Sequence, residues 1–144
     1  AVMTRGSQVG HAGVEVVAAH GQGRVLVCDD EWRLGELTAA LLRQFGFVAV
    51  SVADGDGALA AAVIEPGFDV LILDLNLNGT SSAEVIRRVS DLGRGVRIVL
   101  TSGYCPEDVP EALMAEPSVV GYLAKPYPVE RLLTTVSDAL LAAT

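Results

Sequence analysis

Four of the five short apolar runs in this sequence end in side chains that can do polar chemistry. Arg24-Val25-Leu26-Val27-Cys28 runs into Asp29, Asp30 and Glu31. Val70-Leu71-Ile72-Leu73 ends on Asp74, Val96-Arg97-Ile98-Val99-Leu100 leads into Thr101-Ser102-Gly103, and Val119-Val120-Gly121-Tyr122-Leu123 is followed by Lys125. Brought together, three carboxylates could not all ionise unaided; they would hold protons or gather round a hard divalent cation. An oxygen-lined site with few protein ligands suits Mg2+, which keeps several of its waters and normally accompanies phosphate. A lysine and a hydroxyl across the same pocket would complete it, one as a point charge and the other as a hydrogen-bond donor to phosphoryl oxygens. Asp74 taken by itself could equally cap the next helix. The other clusters argue for the chemical reading.

The elements that must carry these residues follow from the apolar periodicity. Phe68 to Asn76 is an apolar run bounded by Pro66-Gly67 and Asn78-Gly79, the pattern of a strand buried on both faces. After the first run, Leu34, Leu37, Leu41, Leu42 and Phe45 recur at helical spacing until Gly46 stops the helix. Phe47 to Val52 gives the second strand, and Asp54-Gly55-Asp56-Gly57 opens an Ala-rich helix from Ala58 to Ile64. Ser81 or Ser82 can cap a third helix carrying Val85, Ile86 and Val89. Pro106, Pro110 and Pro117 confine the fourth helix to about Glu111–Glu116, and the last carries Val129, Leu132, Leu133, Val136 and Leu140 on one stripe. Five βα units in succession predict an α/β fold, a three-layer α/β/α sandwich around a doubly wound five-stranded parallel sheet. In the flavodoxin-like strand order 2-1-3-4-5 the first and third strands are neighbours at the switch point, and the three aspartates converge.

Composition limits the alternatives. A chain of 144 residues with 51% hydrophobic residues suits one domain with one core. The net charge of -8 speaks against direct nucleic-acid binding and against contact with anionic membranes, both of which want a basic face. No apolar run approaches the length of a membrane span and nothing near the start has the layout of a secretory signal, so a cytoplasmic location is expected. Cys28 and Cys105 stand on separate elements without metal-ligand spacing and are expected to be ordinary thiols. Residues 1–22, with His11 and His20, read as a flexible linker or an expression remnant, and 23–144 as the domain. The glycine-rich phosphate signatures of nucleotide-binding folds are missing.

These motifs, in this order on these strand ends, resemble the receiver domain of two-component response regulators and hybrid histidine kinases. Leu26-Val27-Cys28-Asp29-Asp30-Glu31 is similar to its acidic motif and Leu71-Ile72-Leu73-Asp74-Leu75-Asn76-Leu77 to its phosphoacceptor motif. Thr101-Ser102-Gly103 is similar to its hydroxyl switch motif, and Tyr122-Leu123-Ala124-Lys125-Pro126 to its aromatic, lysine and cis-proline motif. The resemblance implies that Asp74 accepts a phosphoryl group from a histidine kinase or phosphotransfer domain. It further implies that Asp30, Asp74 and the backbone carbonyl of Asn76 ligate Mg2+, with Asp29 reaching the metal through water. Thr101 and Lys125 would bind the phosphoryl group, Pro126 would follow a cis bond that aims the lysine, and Tyr122 would be the rotameric reporter of the switch. The domain would then be a signalling phosphoacceptor rather than an enzyme.

The sequence departs from the family at Asn78, where a proline is frequent, at Ser82, where a glycine is frequent, and at Trp32, which takes the place of a frequent proline. None of these removes a ligand. Trp32 is expected to cover the edge of the core and Glu31 to complement the first helix's dipole. The Thr101-Ser102-Gly103-Tyr104 run and the leading tail point to the receiver of a hybrid sensor histidine kinase, with a stand-alone single-domain regulator as the alternative. A more remote alternative is a phosphatase of the haloacid-dehalogenase type. That family needs a second aspartate two residues after the nucleophile, where Asn76 stands. A pseudo-receiver scaffold would have lost a pocket residue, and none is lost. Signal output is expected through the fourth helix, fifth strand and fifth helix to a downstream protein or domain. Glu107, Asp108, Glu111 and Glu116 on that face oppose self-pairing, so a monomer is expected.

Overall fold

In the computed structural model of the protein, which describes residues 23–77, 79–103 and 105–142, the five apolar runs form one parallel sheet. Its strands are β1 (Arg24–Cys28), β2 (Val48–Val52), β3 (Val70–Asp74), β4 (Arg97–Ser102) and β5 (Val119–Ala124), in the order β2-β1-β3-β4-β5. Every residue of β3 is buried, as its unbroken apolar run requires of a central strand covered on both faces. The covering elements are α1 (Trp32–Gln44), α2 (Gly55–Ala62), α3 (Ser82–Asp91), the single turn α4 (Glu111–Met114) and α5 (Val129–Leu141). The architecture is the three-layer α/β/α sandwich with the flavodoxin-like strand order.

Strand alternation sorts the apolar residues into two cores. Val25, Val27, Val70, Ile72 and Val99 face α1 and α5, meeting Ala39, Leu42, Leu132, Leu133 and Val136. Leu26, Cys28, Leu71, Leu73, Ile98 and Leu100 face the opposite way, onto Ala58 and Ala62 of α2 and Val85, Ile86 and Val89 of α3.

Several helices differ from their sequence reading. The core face of α1 is Gly35, Thr38, Ala39 and Leu42, while Leu37 is 56% exposed. Small residues win that face because the helix lies close to the sheet. A Cβ on Gly35 would sit 3.6 Å from the Cβ atoms of both Asp29 and Ser51. Trp32 does not cover the core edge; it is 60% exposed, with the Arg33 guanidinium 5.2 Å from its ring centre. The second helix begins at Gly55 rather than Ala58, because Asp54 caps it by accepting from the Gly57 amide at 2.7 Å. Its glycine at 57 permits the close approach, since a Cβ there would lie 3.2 Å from that of Val52. Of the two serine candidates, Ser81 caps α3 by accepting from Glu84 N, whereas Ser82 donates to the Asp74 carbonyl at 3.0 Å. The fourth helix stops at Met114 with none of its residues buried, and a 3-10 turn over Pro106–Asp108 precedes it. Residues 1–22 with His11 and His20, Asn78, and Tyr104 lie outside the described residues.

No helix among the described residues is long and apolar enough to cross a membrane.

Candidate functional site

Sheet register assembles the site. Cys28 of β1 is paired with Leu73 of β3, so the next residues, Asp29 and Asp74, emerge side by side at the carboxyl edge. Asp74 is in register with Thr101 of β4, and Ser102 with Ala124 of β5, which delivers Lys125 one residue further on. Asp29, Asp30 and Asp74 each offer a carboxylate oxygen within 4.8 Å of the others. Asp29 and Asp74 are 2% and 1% exposed, so their charges are removed from water, while Asp30 is only half-buried.

Lys125 holds this negative cluster together. Its Nζ lies 3.0 Å from Asp29 Oδ2, 3.2 Å from Asp74 Oδ2 and 3.2 Å from Glu31 Oε1. Burial works to lower the lysine's pKa, but the hydrogen bond to Asp29 and the negative charge of Asp74 outweigh it and hold the ammonium well above its ordinary range. Burial likewise pushes Asp29 up, against the Glu31 amide and the lysine, which hold it down. The other oxygens are also engaged: Asp29 Oδ1 accepts from Glu31 N at 2.9 Å, and Asp74 Oδ1 from Asn76 N at 3.0 Å. Thr101 Oγ1 is buried and has no hydrogen-bond partner among the described residues. A buried hydroxyl left so is costly unless something else arrives to use it. The Lys125–Pro126 peptide bond is cis.

Sequence reasoning missed two features here. Glu31 is the residue before the first turn of α1, yet its side chain makes no cap hydrogen bond and instead pairs with Lys125. Its place beside Asp29 and Asp30 was the only available signal. Tyr127 also lines the cleft, its hydroxyl 2.7 Å from Thr38 Oγ1, and nothing in its spacing pointed to Thr38. Tyr122, half-buried, has its hydroxyl 2.7 Å from Ser102 Oγ. The cleft over the cluster has a volume of about 790 Å³ and is lined by Asp30, Glu31, Asp74, Asn76 and Lys125 together with Leu34, Leu37, Pro126 and Tyr127. An all-oxygen donor set with one lysine against three aspartates and a glutamate fits a hard divalent cation.

The acidic edge also reaches Cys28. Its thiol donates to the Asp54 carbonyl at 3.3 Å, and burial first, then the charges of Asp54, Asp74, Asp29 and Asp30, push its pKa from 9.0 up to about 12. A pKa raised on folding stabilises the native state below the unfolded value of 9.0, and that contribution is lost as the pH climbs towards about 12. Treated with iodoacetamide at about pH 8, near the ordinary thiol pKa, the native protein is expected to be alkylated at the exposed Cys105 alone. Denatured protein should take up the reagent at both thiols, and a doubly modified native protein would contradict the placement of Cys28.

The family model of the response regulator receiver domain matches residues 25–137. The sensory transduction protein RegX3 of Mycobacterium tuberculosis (strain ATCC 25618 / H37Rv) is 31% identical over 116 residues, covering 81% of this chain and 50% of that protein. The chain thus spans about half the length of the curated relatives it matches. Among solved structures, the chemotaxis response regulator CheY4 of Vibrio cholerae is 28% identical with a TM-score of 0.72, the match covering 83% of this chain and 99% of that one. The receiver domain from the hybrid histidine kinase CckA is 27% identical with a TM-score of 0.68, covering 82% and 99%.

Proposed function

The chain belongs to the response regulator receiver domain family, and from that premise we propose that Asp74 is its phosphoacceptor, taking a phosphoryl group from a phosphohistidine on a kinase or phosphotransfer domain. The observation that carries this reading is the buried Asp74 carboxylate, with Lys125 3.2 Å from one oxygen and, on the residue in register with it, the Thr101 hydroxyl that has no partner among the described residues. The Asn76 amide holds Asp74 Oδ1, which leaves Oδ2 as the oxygen that faces the lysine. In the transfer, an Asp74 oxygen bonds to phosphorus as the phosphorus–nitrogen bond breaks, and the electron pair of that bond stays on the imidazole. Lys125 then exchanges a carboxylate for a phosphoryl oxygen, and Thr101 donates its free hydroxyl hydrogen to another. Asp30, Asp74 and the Asn76 carbonyl would hold Mg2+, with Asp29 acting through water. Bound there, the ion would supply positive charge against the phosphoryl oxygens.

Within the domain 23–144, the phosphoryl group adds roughly -1.5 to -2 charges. Thr101 is drawn towards that charge, and Tyr122, hydrogen-bonded to the adjacent Ser102, follows as the reporter. The signal leaves by the exposed turn α4, β5 and α5 to a different protein or domain, with the receiver itself a cytoplasmic monomer. No direct contact with nucleic acid or membrane is assigned to it. A hybrid-kinase parent agrees with the likeness to the CckA receiver, and the likeness to RegX3 supports the alternative of a stand-alone response regulator. The length of the parent gene separates the two, and phosphotransfer profiling against candidate kinases identifies the phosphoryl donor. The phosphatase alternative is set aside by family membership together with Asn76 at the position of the required acid.

The chemistry is tested by labelling with acetyl phosphate and Mg2+ and then adding hydroxylamine. An acyl phosphate on aspartate is expected to be cleaved to free phosphate. A label that survives the treatment would be a phosphoester on a hydroxyl and would overturn the assignment.

A further inference from the structure

We propose that Tyr127 and Thr38 are positioning residues for Lys125, the hydrogen bond between their hydroxyls setting how far the lysine ammonium reaches over Asp74. This rests on the reading of Asp74 as phosphoacceptor and adds two residues outside the assigned site.

The lysine is gripped from both sides of its own backbone. Before the cleft, the Lys125 amide donates to the Ser102 carbonyl of β4 at 2.8 Å. Beyond it, two residues on and past the cis bond, the Tyr127 ring packs against the core shared by α1 and α5. The tyrosine hydroxyl meets Thr38 Oγ1 at 2.7 Å, and Thr38, on the buried face of α1, is 1% exposed. The same helix is tied to the acidic cluster at its start, where the amide of its N-cap residue Glu31 donates to Asp29 Oδ1 at 2.9 Å. Asp29 in turn holds the Lys125 ammonium at 3.0 Å.

These contacts close a ring that runs from Asp29 to Lys125, on to Tyr127, across to Thr38, and back along α1 to Asp29. A lysine stem has four rotatable carbons and would let its ammonium wander. A ring closed through a rigid helix fixes the main chain from which that stem departs. Packing does not explain the hydroxyl, because a phenylalanine would fill the same space against the core. The hydroxyl adds direction: a hydrogen bond fixes the ring tip to one point on α1, whereas apolar contact leaves it free to slide. Burial raises the Tyr127 pKa, so the phenol stays neutral and keeps its proton for this bond.

Lys125 is the chain's only lysine, which gives a readout needing neither metal nor phosphate. In metal-free protein, a short pulse of acetic anhydride followed by peptide mapping measures how well the ammonium is held. Tyr127→Phe and Thr38→Val are expected to speed acylation of Lys125 roughly three- to tenfold, the scale of one net hydrogen bond. Thr38→Ser, which keeps the hydroxyl, should behave as wild type. With acetyl phosphate and Mg2+, the first two variants should be phosphorylated more slowly by a similar factor. Their Mg2+ affinity, followed by Trp32 fluorescence, should stay within about twofold, since the carboxylates carry it. Unchanged acylation in both Tyr127→Phe and Thr38→Val would overturn the proposal, and so would a Thr38→Ser protein as impaired as Thr38→Val. A wild-type protein that takes no phosphoryl group would instead overturn the phosphoacceptor reading, leaving the acylation result to decide the hold on Lys125.

Discussion

Asp74→Ala is expected to abolish phosphorylation outright: with acetyl phosphate and Mg2+, intact-protein mass spectrometry should find the mass of one phosphoryl group added to wild type and none added to the variant. The neighbouring carboxylates are poor substitutes. Asp29 has both oxygens committed, one to the Glu31 amide and one to Lys125, and burial holds its pKa up. Asp30 stands on the half-buried rim, away from the register position opposite Thr101 that Asp74 occupies. Unfolding does not explain the expected loss. Removing one of three crowded carboxylates relieves repulsion that a single lysine only partly offsets, so Asp74→Asn should be at least as stable as wild type in a urea melt. A persistent adduct on Asp74→Ala would move the acceptor elsewhere and break the central assignment.

Lys125→Met should destabilise the metal-free protein by about 3 kcal/mol, at the low end for breaking a buried ion pair because the cleft is open to water on one side. The methionine keeps most of the stem's volume, so the loss reports charge rather than a cavity. Without the ammonium, Asp29 and Asp74 face each other at 2% and 1% exposure and lose the counter-charge that follows β5. Two conditions should recover stability. Added Mg2+ replaces the missing positive charge, and the variant should gain more in melting temperature from it than wild type does. Lower pH also helps, with a defined sign. Asp29 already has a pKa above its ordinary 3.8 in the folded state, so the penalty on its charged form is present at neutral pH and is relieved as the pH falls through that raised value. A variant as stable as wild type without metal at neutral pH would show that Lys125 does not neutralise the cluster.

Both expectations depend on residues visible from the chain alone. The order of elements, the burial of β3 on both faces and the placing of Asp29, Asp30, Asp74, Thr101 and Lys125 at strand ends were determined by local sequence. An apolar run either alternates, repeats at helical spacing or does neither, and short-range sterics translate that pattern directly into strand or helix. Parallel connectivity then leaves so few topologies that convergence of the strand ends follows almost from the element order. The tertiary structure decided what periodicity leaves open. Of the stripe Leu34, Leu37, Leu41, Leu42 and Phe45, Leu42 is buried and Leu41 and Phe45 pack against the core, but the helix is turned so that Gly35, Thr38 and Ala39 share the buried face and Leu37 stands 56% exposed. Asp54 overrode the glycines that seemed to delay α2, because a cap satisfies amides that helix propensity does not count. Glu31 was turned from a helix-dipole partner into a lysine partner by a residue 94 positions away, and Tyr127 found Thr38 across 89. Pairings at such separations depend on register and helix rotation to within an ångström or so, the range over which a hydrogen bond is made or lost. A sequence pattern constrains which face a residue occupies; only the packed fold brings two particular atoms within reach of each other.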